Sequence, residues 1–442
     1  MIREVLDNKH LVLALVFLTV QQVIVASSTY FIAKLAESLS EGQISSLYII
    51  LFASSLIVVY IPAYYCVTNI DRAKYDAHKL YNDNFDSVFK GKTSLFSNDS
   101  LKSSATSTLA QESNYTLSSI IDSIYDISAL VLNILLNVLV ITWFLDSLLL
   151  VGYIVGIILA SIFVHLRRKS LETAAKNDQI SRLSLMSKLI DSWDNVVLFN
   201  HHNYSIYQRT VEDSFNQAKE NSVKSEAIRH INSSLGMVIL MLPVFIVTAY
   251  IFNRNWSDAT VLAVLVATLP RQIQLLQMCY QLVSHYTNLG IIKTMLLGIS
   301  DILKPSYIDL DTYIQAEKIR VKQTGEIFDP ENLPEQGRIT LIGNNGVGKS
   351  SALLKLKEHY QDQAYYLPAK HNLYFNYTDD QVHKGSTGQQ IIRQIEEIRE
   401  SDQSSIIMLD EWDANLDLTN TEIIDRYLNE IALTKLVIDI RH

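Results

Sequence analysis

The segment Gly343-Asn344-Asn345-Gly346-Val347-Gly348-Lys349-Ser350 carries the spacing GxxxxGK[ST], and each residue type in it suits one task at a polyphosphate. Glycines let backbone N–H groups curl around phosphate oxygens, Lys349 reaches the β and γ phosphates, and Ser350 offers its hydroxyl to Mg²⁺. The candidate nucleotide contacts are therefore Gly343, Asn344, Asn345, Gly346, Val347, Gly348, Lys349, Ser350 and the adjoining Ser351. A second pair of groups, Asp410 and Glu411, ends the apolar run Ser405-Ile406-Ile407-Met408-Leu409, with Asp410 61 positions beyond Lys349 (410 − 349). A buried strand delivers its C-terminal residues to the phosphate crevice. Asp410 is the candidate Mg²⁺ ligand, directly or through water, and Glu411 the residue that orients or deprotonates the attacking water. Alone, an apolar run ending in Asp-Glu is commonly a solvated loop; paired with the glycine-rich loop it favours chemistry on a nucleoside triphosphate such as ATP.

Such a loop must be aimed by a strand and followed by a helix whose N-terminus faces the phosphates. Ile339 to Ile342 reads as that strand and Ser351 to Glu358 as that helix. Glu317 to Lys322, Arg338 to Ile342, Ile406 to Leu409 and Leu436 to Ile440 read as strands between helical segments, the order of an α/β domain. Residues 321–442 are expected to form this domain, with 305–320 as a linker after Pro305 ends the last long helix.

Residues 1–304 have a different character. A bilayer core needs about 20 largely apolar residues per helix, and Leu11 to Ala33, Leu47 to Tyr65, Ile127 to Leu145, Leu148 to Leu166 and Leu235 to Phe252 each approach or exceed that length. A sixth run opens at Ala259, but its clean part stops at Leu269, before Pro270, Arg271, Gln272, Gln274 and Gln277. Topology argues for counting it. Arg72, Lys74, Lys79, Lys90 and Lys92 fall between spans two and three, and Arg167, Arg168, Lys169, Arg182 and Lys188 between four and five, whereas the opposite loops are nearly free of cations. With both basic segments inside, an ATP site after the last span is also inside only if the number of spans is even. The first span is too long for the apolar region of a signal peptide and lacks a small-residue cleavage site.

Composition narrows the classes further. A hydrophobic fraction of 48%, with 14 Gly and 7 Pro in 442 residues, suits a helix-rich membrane protein. A net charge of −9 opposes general nucleic-acid binding, which needs a basic surface. Two cysteines, Cys66 and Cys279, are too few for a disulfide scaffold or a zinc site. Arg271 would cost about 2.5–3.5 kcal/mol at the centre of a span, so it must face a wet cavity, a partner or a helix end. With Gln21, Gln22, Asn133 and Asn137 it either lines a polar path for cargo or hydrogen-bonds between helices.

The phosphate loop, Met408-Leu409-Asp410-Glu411 and Asp413-Ala414-Asn415-Leu416-Asp417 resemble the Walker A, Walker B and D-loop of ABC transporter ATPases. Gly385-Ser386-Thr387-Gly388-Gln389 looks like a divergent LSGGQ signature, followed by a helix over Gln390 to Glu400. Val437 to His442 is similar to the strand and switch histidine that contact the γ-phosphate. The order of all these motifs is that of the family. The polar segments Asn69 to Ser118 and Arg167 to Ser233 resemble the intracellular loops of ABC exporters, and Lys188 to Phe199, followed by His201 and His202, looks like the stretch containing the second coupling helix. The chain departs from the family where Ser386 follows Lys349 by only 37 positions (386 − 349) and where Ala369, in Tyr366-Leu367-Pro368-Ala369, replaces the Q-loop glutamine.

The resemblance implies an all-α six-helix transmembrane domain joined to an α/β P-loop ATPase domain with a reduced helical subdomain. It adds Ser386, Gly388 and Gln389 as nucleotide contacts and His442 beside Glu411 in catalysis, with ATP and Mg²⁺ as substrate and cofactor. Because the family sandwiches each ATP between two ATPase domains, it implies a homodimer in a lipid bilayer, most simply a bacterial inner membrane. Its cargo would be a small molecule or peptide, with a siderophore as one option. An ATP-binding regulator or channel with poor hydrolysis, and an importer on the exporter fold, remain open.

Overall fold

The computed structural model describes residues 2–43, 45–306, 308–376, 387–401, 404–413 and 416–441. The chain divides into two compact units, one of residues 1–81 and 111–300, the other of residues 82–110 and 301–442.

The first unit is built on α1 (Lys9–Ser40), α2 (Ser46–Val58), α3 (Tyr60–Phe89), α4 (Ser113–Phe144), α5 (Leu148–Ile190), α6 (His201–Arg254) and α7 (Ala259–Ile302). Among the described residues, six helical stretches are long and apolar enough to cross a membrane, α2 and α3 together making the second and Ala259–Leu282 the sixth. The sixth runs straight through Pro270, where the sequence pattern had broken off, and the fifth contains Pro243. Proline is tolerated in such helices because their neighbours satisfy the freed backbone groups. Between helices in lipid, close packing replaces the hydrophobic effect, which favours small residues at the contact. At Gly156 a Cβ would lie 2.5 Å from the Leu240 carbonyl oxygen, so α5 and α6 meet backbone to backbone. Tyr153, Leu149, Leu240, Leu275 and Cys279 fill the surrounding core, and both cysteines are buried and free.

The second unit holds a five-stranded sheet of β1 (Arg320–Val321), β2 (Gly337–Ile342), β3 (Ala364–Leu367), β4 (Ile406–Asp410) and β5 (Leu436–Ile440), in the order β1-β2-β5-β4-β3. Only β1 runs antiparallel. Every residue of β4 and β5 is buried, as expected of parallel strands covered on both faces. Strand alternation sends Met408 and Ile438 towards α8 (Lys349–Tyr360), where they pack with Leu353 and Leu356. Ile407, Leu409 and Val437 point the other way, onto α9 (Thr387–Ser401) and α10 (Leu418–Ile431) through Ile395, Ile398, Ile424 and Leu428.

Three local features differ from the sequence pattern. Of Glu317 to Lys322 only Arg320–Val321 is strand, because Ala316–Lys318 turns as a 3₁₀ helix. β3 is too short to show a period, and its Tyr365 and Tyr366 are only half-buried. Residues 82–110, which begin within the last turns of α3, pack against α8: Thr93 Oγ1 donates to the Leu354 carbonyl at 2.8 Å, and the Ser94 N–H to Glu358 Oε2 at 3.2 Å.

The sheet also encloses a carboxylate. Asp439 is fully buried, and it accepts from Arg338 Nε (3.1 Å) and Nη2 (2.8 Å), Thr340 Oγ1 (2.9 Å) and Trp412 Nε1 (3.3 Å). Removing one member of a buried ion pair strands the other, at a cost of about 3–5 kcal/mol. Arg338→Ala should therefore lower the thermal midpoint of the solubilised protein strongly, while Arg338→Lys, which keeps the charge but not the two-pronged geometry, falls in between. A midpoint unchanged in Arg338→Ala would show that Asp439 does not depend on this partner.

Candidate nucleotide-binding site

The loop between β2 and α8 takes its shape from two glycines with left-handed backbone, Gly346 at φ 82° and Gly348 at φ 90°. At Gly348 space is decisive as well, since a Cβ there would lie 2.2 Å from the Tyr313 carbonyl oxygen. The 3₁₀ turn Leu310–Tyr313 thus lies against the loop, and the Gln315 N–H donates to the Val347 carbonyl at 2.9 Å. Lys349 Nζ donates to the carbonyls of Gly343 (2.7 Å) and Asn344 (3.3 Å), which holds its charge at the centre of the loop beside the N-terminus of α8. Thr312, Tyr313, Gln315, Asn345, Gly346, Gly348, Lys349, Ser350, Ser351 and Glu411 line one open cleft. A lysine, a helix N-terminus and turned backbone N–H groups around one cleft suit a polyphosphate.

Asp410 sits at the floor. Its Oδ1 accepts from Ser350 Oγ at 3.0 Å and its Oδ2 from the Tyr366 hydroxyl at 2.9 Å. Burial pushes the Asp410 carboxyl above the ordinary carboxylate range, and the Tyr366 and Ser350 hydroxyls pull it back. Burial, with the negative charge of Asp410 beside it, drives the Tyr366 phenol far up, so it stays a donor. Glu411 has left-handed backbone, φ 46°, held by its N–H donating to the Ile440 carbonyl at 3.0 Å. That conformation costs a non-glycine residue on the order of 1–3 kcal/mol, and here it turns Glu411 into the cleft while Asp410 stays inside. No group of three or more His, Cys, Asp or Glu suited to a metal occurs among the described residues. The pair Ser350 and Asp410 nevertheless fits Mg²⁺, which takes few protein oxygens and completes its shell with phosphates and water.

The remaining sequence-derived positions are more scattered. Gly388 is buried at the start of α9, where a Cβ would lie 2.5 Å from Asn420 Nδ2, and Gln389 is exposed beside it. Ser386 and His442 lie outside the described residues. Trp412 is a core residue, with Arg441 stacked 5.1 Å from its ring.

Two residues at the cleft were not singled out from sequence. Tyr313 is an exposed aromatic at the mouth, and no motif marks it. Tyr366 was legible only as a neighbour of Ala369, since a phenol reaching a carboxylate across two strands leaves no local pattern. Tyr366 also meets Phe96 edge to face, with ring centroids 6.2 Å apart, so residues 82–110 reach the floor of the cleft through one side chain.

No protein-family model matches the chain, and no curated protein does. Among solved structures, one described as a bacterial Atm1-family ABC exporter with ATP bound is similar over 98% of this chain and 91% of its own, with a TM-score of 0.62 and 12% identity. The fold resembles that of an ABC exporter.

Tyr366→Phe removes one hydroxyl donor from a buried carboxylate, a bond worth roughly 1.5–3 kcal/mol. The Asp410 carboxyl then rises further, so it is charged only at higher pH, and binding that needs the charge is lost at a less acidic pH. Titration of a fluorescent ATP analogue with Mg²⁺ against pH should show the midpoint displaced upward by on the order of one pH unit. An unmoved midpoint would remove Tyr366 from this role.

Proposed function

We propose that the chain is half of an ATP-driven exporter, a homodimer in a bacterial inner membrane that moves a small molecule or peptide, with a siderophore as one candidate. The observation that carries this reading is a phosphate loop whose Ser350 is hydrogen-bonded to a buried Asp410, in a chain with six membrane-length helices. Backbone N–H groups of Gly343 to Ser351 and Lys349 hold the triphosphate, and Tyr313 stacks on the base. Ser350 and Asp410 would hold Mg²⁺, which would supply positive charge to the triphosphate. Glu411 orients water and takes its proton as the water oxygen bonds to the γ-phosphorus in line, the bond to the β-phosphate oxygen breaks and ADP leaves. In a dimer, Ser386, Gly388 and Gln389 of one copy close over the phosphate loop of the other, and His442 reaches the γ-phosphate.

Dimerisation has its own support. Between α5 and α6 the short helix Ser192–Val197 and its flanks expose Ile190, Trp193, Val197, Leu198 and Phe199, an apolar tip in a polar segment. Contiguous exposed apolar surface of this kind marks an interaction site. Ala369 and the short distance from Lys349 to Ser386 favour a second reading, an ATP-binding regulator or channel that hydrolyses poorly.

Reconstituted protein should hydrolyse ATP, and faster with its cargo. Lys349→Ala should weaken ATP binding by on the order of tenfold or more, and Glu411→Gln should keep binding while lowering turnover by roughly 10²–10⁴-fold. Binding with background hydrolysis in the unaltered protein selects the regulator, and absence of binding defeats both readings.

Burying a charge in place of an anchoring indole typically costs about 2 kcal/mol or more at an interface. Trp193→Asp should therefore shift the solubilised protein from dimer towards monomer, as read by light scattering. A dimer of unchanged stability would mean that this tip is not part of the interface.

A further inference from the structure

Within the apolar stretches 11–33, 47–65, 127–145, 148–166, 235–252 and 259–282, Arg271 is the sole Asp, Glu, Lys or Arg. It joins a polar cluster of otherwise neutral groups, of which Gln22, Thr29, Asn133 and Asn137 are buried and Gln274 is exposed. Asn133 Nδ2 donates to Gln22 Oε1 at 2.6 Å, Asn137 Nδ2 to the Asn133 carbonyl at 2.8 Å, and Thr29 Oγ1 to Asn137 Oδ1 at 2.6 Å. Arg271 Nε donates to the same Asn137 oxygen at 3.1 Å and Nη1 to Gln274 Oε1 at 2.5 Å. Nη2 is sealed from solvent and has no hydrogen-bond partner.

Position and charge make this unusual. Arg271 lies about 18 Å along α7 from Ala259 at 1.5 Å per residue, a little past the middle of a bilayer core of about 30 Å. Amide and hydroxyl oxygens offer dipoles, but none of them cancels a full positive charge in a low-dielectric bundle. A second copy brings the same spans and so no carboxylate within them. Intramembrane ionisable groups facing a bundle interior mark a substrate path more often than a structural need.

We infer that Arg271 is the anchor of an anion-binding site inside the helical bundle, and that the cargo carries a carboxylate or phosphate group. The guanidinium edge that includes Nη2 is the donor the anion takes, while Asn137 and Gln274 hold the side chain in place. The assignment to cargo rests on the transport reading; the anion site rests on the bundle alone.

Full-length protein in phosphatidylcholine nanodiscs, without nucleotide, is titrated with a pool of tripeptides bearing free C-terminal carboxylates and with the same pool as C-terminal amides. Binding of the carboxylates should be at least about tenfold tighter. Arg271→Gln should abolish that preference and Arg271→Lys should retain part of it. In nanodiscs containing phosphatidylglycerol, Arg271-dependent lipid binding that displaces the peptides, or occurs without peptide binding, identifies a lipid headgroup as the source of the anion. Equal affinity for the two peptide pools without Arg271-dependent lipid binding overturns the inference, as does a preference that survives in Arg271→Gln or a failure of both peptides and lipid to bind. The wild-type comparison stands even if a variant misfolds. Lys349→Ala, which should weaken ATP binding but keep the preference for carboxylates, separates failure of this site from failure of the ATPase reading.

Discussion

A carboxylate at the end of a fully buried strand must be matched by donors, and the arrangement of the second unit follows from how Asp410 is matched. One oxygen takes a hydroxyl from the first turn of α8 and the other a phenol from β3. Desolvation works against the charge and the two donors work for it. The loop, α8, β3 and β4 can hold this geometry only in one register, because a one-residue slip of a strand would turn Asp410 to the opposite face. The chemistry of the cleft and the pairing of the strands are thus the same constraint.

The neighbouring strand solves the same problem without chemistry. In the β4–β5 pairing Leu409 lies opposite Asp439 and Asp410 opposite Ile440, so the two carboxylates point to opposite faces of the sheet. Asp410 looks towards α8 and the cleft. Asp439 looks towards α10 and is closed off by Arg338, Thr340 and Trp412, whose donors occupy it completely from the protein's own side chains. Only hydroxyls, which can yield to a metal ion, were placed on Asp410.

Tyr366 links this floor to the rest of its unit. Its ring meets Phe96, and the segment around Phe96 is tied to α8 by Thr93 and Ser94. A change in how Asp410 is liganded therefore has a direct route to residues 82–110, which enter this unit from a membrane-length helix. Ala369 is exposed and carries no polar group, and the phenol three positions earlier is the side chain that reaches Asp410.

Much of this was legible in the chain itself. The spacing from Gly343 to Ser350 is local, and glycine's freedom at φ > 0 is a property of the residue, so the loop could be read without a fold. The apolar runs that became spans and the Asp-Glu pair after Ile406 to Leu409 were equally plain. The sixth span was legible only through charge topology, because the apolar pattern breaks at Pro270; that the helix continues through the proline depends on packing against other helices. The contact of Tyr366 with Asp410, the approach of Tyr313 to Gly348 and the orphaned donor of Arg271 were decided by tertiary structure alone. Each depends on residues tens to more than a hundred positions apart, and hydrogen bonding, steric closeness and burial among such residues have no period or spacing along the chain from which they could be read.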